Sequence, residues 1–536
     1  MELRDLSFRY GGAPEGSGLD SVSLRIAEGE CVLLCGVSGC GKSTLLRLVN
    51  GLAPNFYEGE LRGESLIGGV RLKGLPLYEI ANYAGTVFQN PRSQFFNTDT
   101  TGELAFGCEN RGLEPDLIRG RLERSVRLFR LERLVDRSIF ELSGGEKQRI
   151  AIASVYMTGP GVFLLDEPSS NLDRESIRDL RMALAEIRQQ GKTIIIAEHR
   201  LHYLAGLVDR VIYLERGRIA HEWSGEEFYR FPAPRLRELG LRATGGAGIA
   251  SETGGAEVLR GEGAAREGDG RIEIQGLSYA YGGGKNALSI PFLALPRSDI
   301  SALIGPNGAG KTTLAHWLCG LASGGKGTVR IGGAPVSRKE RLRRSYLVMQ
   351  DVNHQLFSPS VEEELRLGAA SPDEATLRRV TEDLELGELG DRHPMSLSGG
   401  QKQRVAVAAA LCGGKDLIVF DEPTSGLDYR HMEKVAAAIR RLHGAGTAVL
   451  LITHDPELIL SCCTRVVHLE HGALRESFPL DAAGREKLIH LFMEEGLMEG
   501  VTERRETRES GAARAGAAGA GTTKKTGVAR VERARE

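Results

Sequence analysis

CVLLCGVSGCGKSTLLRLVNGL, residues Cys31–Leu52, carries the fold in one stretch. CVLLC is an apolar run of buried-strand length, and TLLRLVNGL has the apolar spacing of a helix. Between them GVSGCGKS matches G-x-x-x-x-G-K-[ST]. Glycines there let the backbone curl so that its N–H groups point inward, and the helix that follows adds its positive N-terminal end. A lysine and a hydroxyl at the last two positions suit phosphate oxygens and Mg²⁺. The same spacing returns as GPNGAGKT at Gly305–Thr312, also between an apolar run and a helical pattern. A tight glycine turn explains one such match; two in strand–loop–helix context are phosphate loops.

The second copy belongs to a repeat of the whole chain. LSFRYGG (Leu6–Gly12) returns as LSYAYGG (Leu277–Gly283), and LSGGEKQR (Leu142–Arg149) as LSGGQKQR (Leu397–Arg404). FLLDEPSSNLD (Phe163–Asp173) returns as IVFDEPTSGLD (Ile418–Asp428). Ser143 to Ser398, Asp166 to Asp421 and His199 to His454 share one offset of 255. Within each half, VFLLD- and TIIIA-like runs alternate with helical stretches, the pattern of parallel strands with crossover helices. This predicts an α/β chain with domains at 1–239 and 271–500. The stretch 240–270, with ten glycines in 31 residues, reads as a flexible linker. The segment 501–536, containing GAARAGAAGAGTTKK, reads as a disordered tail.

Composition narrows the function. With 69 Lys+Arg against 71 Asp+Glu, the net charge of −2 argues against a nucleic-acid binder relying on bulk positive charge. Apolar runs such as Thr193–Ala197 and Ala448–Ile452 fall far short of the ~20 residues of a membrane span, and MELRDLSFRY lacks the apolar core of a signal peptide. Eight cysteines form no C-x-x-C pair; buried or free thiols of a reducing compartment are expected. A metal cluster at Cys31, Cys35 and Cys40 is disfavoured because Cys40 lies inside a phosphate loop.

The acidic strands complete the chemistry. Asp166 and Asp421 end apolar runs, where a carboxylate suits the Mg²⁺ shell. Glu167 and Glu422 follow by one residue, where a carboxylate can polarise an attacking water. LSGGEKQR and LSGGQKQR upstream of these strands resemble the signature of ATP-binding-cassette (ABC) ATPases over nearly the whole chain except linker and tail. The resemblance implies two P-loop ATPase domains, each a parallel-sheet core with antiparallel β and helical subdomains, packed head to tail. Each ATP is then held between one half's phosphate loop and the other's signature. Gly36, Val37, Ser38, Gly39, Cys40, Gly41, Lys42, Ser43 and Thr44 would hold one ATP. Gly305, Pro306, Asn307, Gly308, Ala309, Gly310, Lys311, Thr312 and Thr313 would hold the other. The signatures would contribute Ser143, Gly144 and Gly145 to the Lys311 site and Ser398, Gly399 and Gly400 to the Lys42 site. Ser143 and Ser398 can cap the helices behind them, whose N-termini then face a γ-phosphate. Tyr10 and Tyr281 match the aromatic that stacks on adenine, and His199 and His454 the histidine on the γ-phosphate. Gln89 and Gln350 match the glutamine that senses Mg²⁺, which Ser43, Thr312, Asp166 and Asp421 would also surround.

VFQNPRSQFF (Val87–Phe96) and VMQDVNHQLF (Val348–Phe357) resemble the energy-coupling-factor branch, with second glutamines Gln94 and Gln355. The implied role is the ATPase subunit of a vitamin or transition-metal importer, peripheral on the cytoplasmic face of the membrane. Its implied partners are a transmembrane coupling protein and a substrate-binding membrane protein. The rivals are the fused ATPase of a sugar or peptide importer and a soluble tandem ATPase acting on ribosomes, which would carry a longer charged helical linker. The first half departs from the common pattern at Asn171 and Arg200, so its site and its neighbour's are expected to turn over unequally.

Overall fold

Burial of the Cys31–Cys35 run on both faces makes it an inner strand of a six-stranded sheet. The order is Arg218–Ser224, Arg210–Glu215, Cys31–Cys35, Thr193–Ala197, Val162–Asp166, Ala84–Val87. All neighbours are parallel except the antiparallel edge strand Arg218–Ser224. The structure is a computed structural model that describes residues 1–12, 18–170, 172–250, 271–281, 286–367, 373–443 and 446–493.

The second half repeats this sheet with Ser345–Val348, Leu417–Asp421, Ala448–Ile452, Ile300–Ile304, Arg465–Glu470 and Ala473–Pro479. Each half adds a four-stranded antiparallel sheet. In the first half Glu2–Tyr10 lies between Leu19–Arg25 and Gly59–Ile67; in the second, Ile272–Ala280 lies between Asn286–Leu295 and Lys326–Ile331. Helices Thr100–Glu109, Pro115–Leu128 and Gly144–Thr158 form the helical part of the first half. Val361–Leu367, Glu374–Asp383 and Gly399–Cys412 correspond to them in the second. The two layers of the first half are held by apolar clusters on opposite sheet faces, around Leu33, Ile150 and Ile196 on one and Leu34, Leu45 and Ile195 on the other. Because adjacent parallel strands point the same way, the loops after Cys31–Cys35, Val162–Asp166 and Thr193–Ala197 open on one edge. That carboxyl edge is where α/β sheets bind ligands.

One boundary differs from the sequence reading. The expected linker starts at 240, yet Leu241, Arg242, Ala243 and Ile249 are buried, and Gly246–Ala250 is helical. The Tyr429 N–H donates to the Gly240 carbonyl at 3.2 Å, and the Arg430 guanidinium to the Glu238 carbonyl at 3.0 Å. High glycine content concealed four residues whose side chains do find a core. Residues 251–270 and the 501–536 tail lie outside the described residues, as does Asn171.

Candidate functional site

Both phosphate loops have the strand–loop–helix form expected. Gly36 has φ +141°, and a Cβ there would stand 2.3 Å from the Leu214 carbonyl oxygen. Gly305 repeats this, at φ +147° and 2.0 Å from the Leu469 oxygen, so only glycine fits either turn. Lys42 Nζ donates to the carbonyls of Gly36 and Val37 at 2.9 and 3.2 Å; Lys311 Nζ donates to those of Gly305 and Pro306 at 2.7 and 2.9 Å. Ser43 Oγ donates to Asp166 at 2.9 Å and Thr312 Oγ1 to Asp421 at 3.0 Å. Each hydroxyl–carboxylate pair is an oxygen donor set of the kind hard cations take. Cys40 is buried beside Lys42, and the other cysteines are buried except Cys412, which is half-buried.

Glu167 and Glu422 sit just past the acidic strands with φ of +46° and +52°, a left-handed conformation rare for glutamate. Such strain of about 1–3 kcal/mol persists only where the surroundings impose it. Burial pushes the Glu167 carboxyl up to about 8, with Asp166 and Glu198 adding repulsion. Burial pushes Glu422 up to about 7, opposed chiefly by the charge of Arg200. His199 Nε2 lies 3.6 Å from Glu167 and His454 Nε2 3.9 Å from Glu422. Burial drives His199 well below its usual range and His454 to about 3, so both rings are neutral near pH 7.

The signature serines cap their helices as the sequence predicts. Ser143 Oγ accepts from the Glu146 N–H while the Ser143 N–H donates to the Glu146 carboxylate. Ser398 and Gln401 form the same reciprocal pair. Gly145 and Gly400 pack closely, their would-be Cβ atoms meeting Ser176 and Leu427, whereas Gly144 and Gly399 face open space. Ala309 is buried, and Gly39, Gly41, Gly308 and Gly310 hold positive φ within the loops.

Ser398, Gly399 and Gly400 line one cavity of about 1040 Å³ with Ser38, Lys42, Ser43, Gln89, Glu167 and His199. A second cavity of about 520 Å³ joins Tyr281, Lys311, Thr312, Thr313, Gln350, Asp421, Glu422 and His454. Gly144 borders the first cavity rather than the second, whose described lining comes from the second half alone. Asp173 nevertheless reaches the second phosphate loop, accepting from the Asn307 N–H at 2.7 Å. Asp428 does the same for Ser38 at 2.5 Å. Tyr281 is exposed at its cavity with its hydroxyl 2.8 Å from Thr313 Oγ1. Tyr10 is half-buried, its hydroxyl bound to Thr44 and Arg47, and the aromatic that lines the first cavity is Tyr57. Gln89 Nε2 donates to Glu167 at 2.8 Å. Gln94 and Gln355 fold their loops back by accepting from the Phe88 and Met349 N–H groups.

Sequence reading passed over Tyr57, Glu198, Gly426 and the cross-half role of Asp173 and Asp428. A Cβ on Gly426 would stand 2.9 Å from both Gln89 Nε2 and Glu167 Oε2, so this glycine lets the opposite half's loop approach the carboxylate. The SSNLD and TSGLD repeat was the available signal for the aspartates, and AEHR against ITHD that for Glu198; Tyr57 lies in no shared motif.

Two strand-borne phosphate loops, each beside an acidic strand end and one facing a capped helix of the other half, define a tandem P-loop ATPase. The family model described as ABC transporter matches residues 19–170 and 291–425, and this chain belongs to that family. A Treponema denticola protein named as an ABC transporter ATP-binding protein is 47% identical over 88% of this chain and 96% of its own length. A Bacillus subtilis protein named for HMP/thiamine import ATP binding is 31% identical over 88% of this chain and 90% of its own. Among solved structures, the RNase-L Inhibitor superposes with TM-score 0.61 at 23% identity, covering 91% of this chain and 93% of that one. That last likeness concerns the fold.

Proposed function

We propose that this chain is the ATP-hydrolysing subunit of a membrane importer, of the energy-coupling-factor branch, moving a vitamin or a transition-metal ion. The observation that carries the ATPase part is the shared cavity of Lys42, Glu167 and the Ser398–Gly400 helix start. Lys42 and Lys311 meet the β- and γ-phosphates once released from their own loop carbonyls. Glu167 and Glu422 accept a proton from water attacking the γ-phosphorus, and neutral His199 and His454 hydrogen-bond the phosphoryl group. The Ser143 and Ser398 helix N-termini stabilise the phosphoryl charge. Ser43, Asp166 and Gln89 would hold Mg²⁺ in one site and Thr312, Asp421 and Gln350 in the other, where it neutralises phosphate charge.

The importer part is supported by the relative named for HMP/thiamine import and by a surface beside the glutamine loops. Phe96 and Phe140 are about three-quarters exposed, on segments joined by the Ile139 N–H to Thr98 carbonyl bond. Phe357 and Met395 are the exposed apolar residues of the corresponding segments in the second half. Paired apolar knobs of this kind suit the cytoplasmic helices of a transmembrane coupling protein. Among the described residues no helix is long and apolar enough to cross a membrane, so the span must come from that partner and from a substrate-binding membrane protein.

The test is co-expression with a coupling protein and substrate-binding protein, followed by purification from membranes and reconstitution into liposomes. Alkaline washing should strip the chain, and substrate should raise ATP hydrolysis in the reassembled complex. Recovery with ribosomes and not with the membrane pair would overturn the importer reading while leaving the ATPase reading intact.

A further inference from the structure

The chain leaving the first half ends in a buried ion cluster on the second. Arg242, Asp455 and Glu457 are 4%, 5% and 6% exposed. Arg242 Nη1 donates to Asp455 at 2.7 Å and contacts Glu457 at 3.5 Å, while the Ala243 N–H donates to Glu457 at 2.9 Å. The remaining arm of the guanidinium donates to the Leu427 carbonyl, from Nη2 at 3.1 Å and Nε at 3.3 Å. Leu427 lies between Gly426, which abuts Glu167 and Gln89, and Asp428, which accepts from Ser38 of the first phosphate loop. Thr424, at the start of the same loop, donates to the same Asp455 carboxylate at 3.1 Å. Arg242 therefore grips the loop that the second half presents to the Glu167 site.

The first half solves the equivalent problem differently. Position 200 corresponds to position 455 by the 255 offset, and an arginine stands there in place of the aspartate. Arg200 Nη1 donates to the Leu172 carbonyl at 3.2 Å, the counterpart of the Leu427 carbonyl. Leu172 precedes Asp173, which accepts from Asn307 of the second phosphate loop. Both loops thus have a guanidinium on the leucine carbonyl, one supplied from within the half and one from across the interface.

We propose that Arg242 and Arg200 are positioning residues for opposite ATP sites: Arg242 fixes loop 424–428 against the Glu167 site, and Arg200 fixes Leu172 and Asp173 against the Glu422 site. The inference rests on the ATPase reading above. The segment after the first half is then part of the Glu167 site's support, as well as a tether.

Full-length chains with one site disabled test it. In the Glu422→Gln background, which reports the Glu167 site, Arg242→Ala should lower kcat about tenfold or more while KM for ATP changes little. In the Glu167→Gln background the same change should cost far less, and Arg200→Ala should show the reverse preference. Arg242→Ala strands two buried carboxylates, so Arg242→Lys is the second variant. It keeps a cation beside Asp455 and Glu457 but cannot span carboxylate and carbonyl as the guanidinium fork does. It should recover the thermal midpoint and not the turnover. Equal losses in both backgrounds, or full recovery of turnover by lysine, would overturn the proposal. Wild-type hydrolysis in the Glu167→Gln, Glu422→Gln double variant would instead overturn the ATPase assignment on which it rests.

Discussion

The two carboxylates proposed as bases occupy the same backbone position yet live in different company. Glu422 accepts from Thr453 Oγ1 at 3.1 Å and from the His454 N–H at 3.0 Å, bonds that stabilise its ionised form. At the position of Thr453 the first half has Glu198, a buried carboxylate that accepts from the His199 N–H at 2.7 Å and from the Tyr203 hydroxyl at 2.9 Å. Glu167 therefore has a negative neighbour where Glu422 has a donor, and relies on Gln89 and Ser170 for its own bonds. A residue substitution at the end of the strand next to the phosphate-loop strand thus separates two sites that a motif comparison treats as copies. A fused chain can hold such a difference because each half keeps its own sequence.

The largest expected effect removes both bases. Glu167→Gln with Glu422→Gln should cut hydrolysis on the order of 10²- to 10⁴-fold, about 2.7 to 5.5 kcal/mol of barrier, with nucleotide binding retained. Phosphate release and nucleotide-binding titration on the same sample separate the two. Next comes the pairing of halves. In a Glu422→Gln chain the remaining site contains Gly399, so Gly399→Asp should abolish most residual turnover. Gly144→Asp in the same chain should do less. The opposite ranking would mean that each half closes on its own nucleotide.

A smaller effect concerns pH. A base works when ionised, so the Glu422→Gln chain should lose rate as pH falls below about 8, the range of Glu167. The Glu167→Gln chain should hold its rate down to about 7, the range of Glu422. Glu198→Thr removes the repulsive neighbour and should move the first limb to lower pH; an unmoved limb would assign it to another group. The smallest expected change is Gly426→Asn, which gives the second half's loop the residue of the first half's. Asparagine tolerates the φ of +71°, but its Cβ crowds Glu167 and Gln89. Single-site turnover at Glu167 should fall by a few fold, with no effect at Glu422.

Sequence patterning went far with this molecule because its chemistry is local. A glycine turn, a lysine and a hydroxyl are contiguous, and the Ser143–Glu146 and Ser398–Gln401 capping pairs span three residues. What was opaque is what arises only after folding. Glu198 reads as an ordinary residue before a histidine until Thr193–Ala197 and Val162–Asp166 bring it beside Glu167. Arg242 sits in a stretch whose composition resembles a tether, and its partners lie more than 180 residues away. Tyr57 reaches the cavity from the turn before strand Gly59–Ile67, outside every repeated motif, while Tyr10, the residue the motif singled out, spends its hydroxyl on Thr44 and Arg47.

The positive φ of Glu167 and Glu422 bears on how this chain would respond to selection in the laboratory. A buried, partly ionised carboxylate on a left-handed backbone is a poor choice for stability alone, and glycine or asparagine would relieve roughly 1 kcal/mol of that strain at each position. A library screened only for heat resistance should therefore enrich changes at these two residues, and the survivors would bind nucleotide without consuming it. Ranking variants by melting temperature would select against the very residues that make the chain an engine.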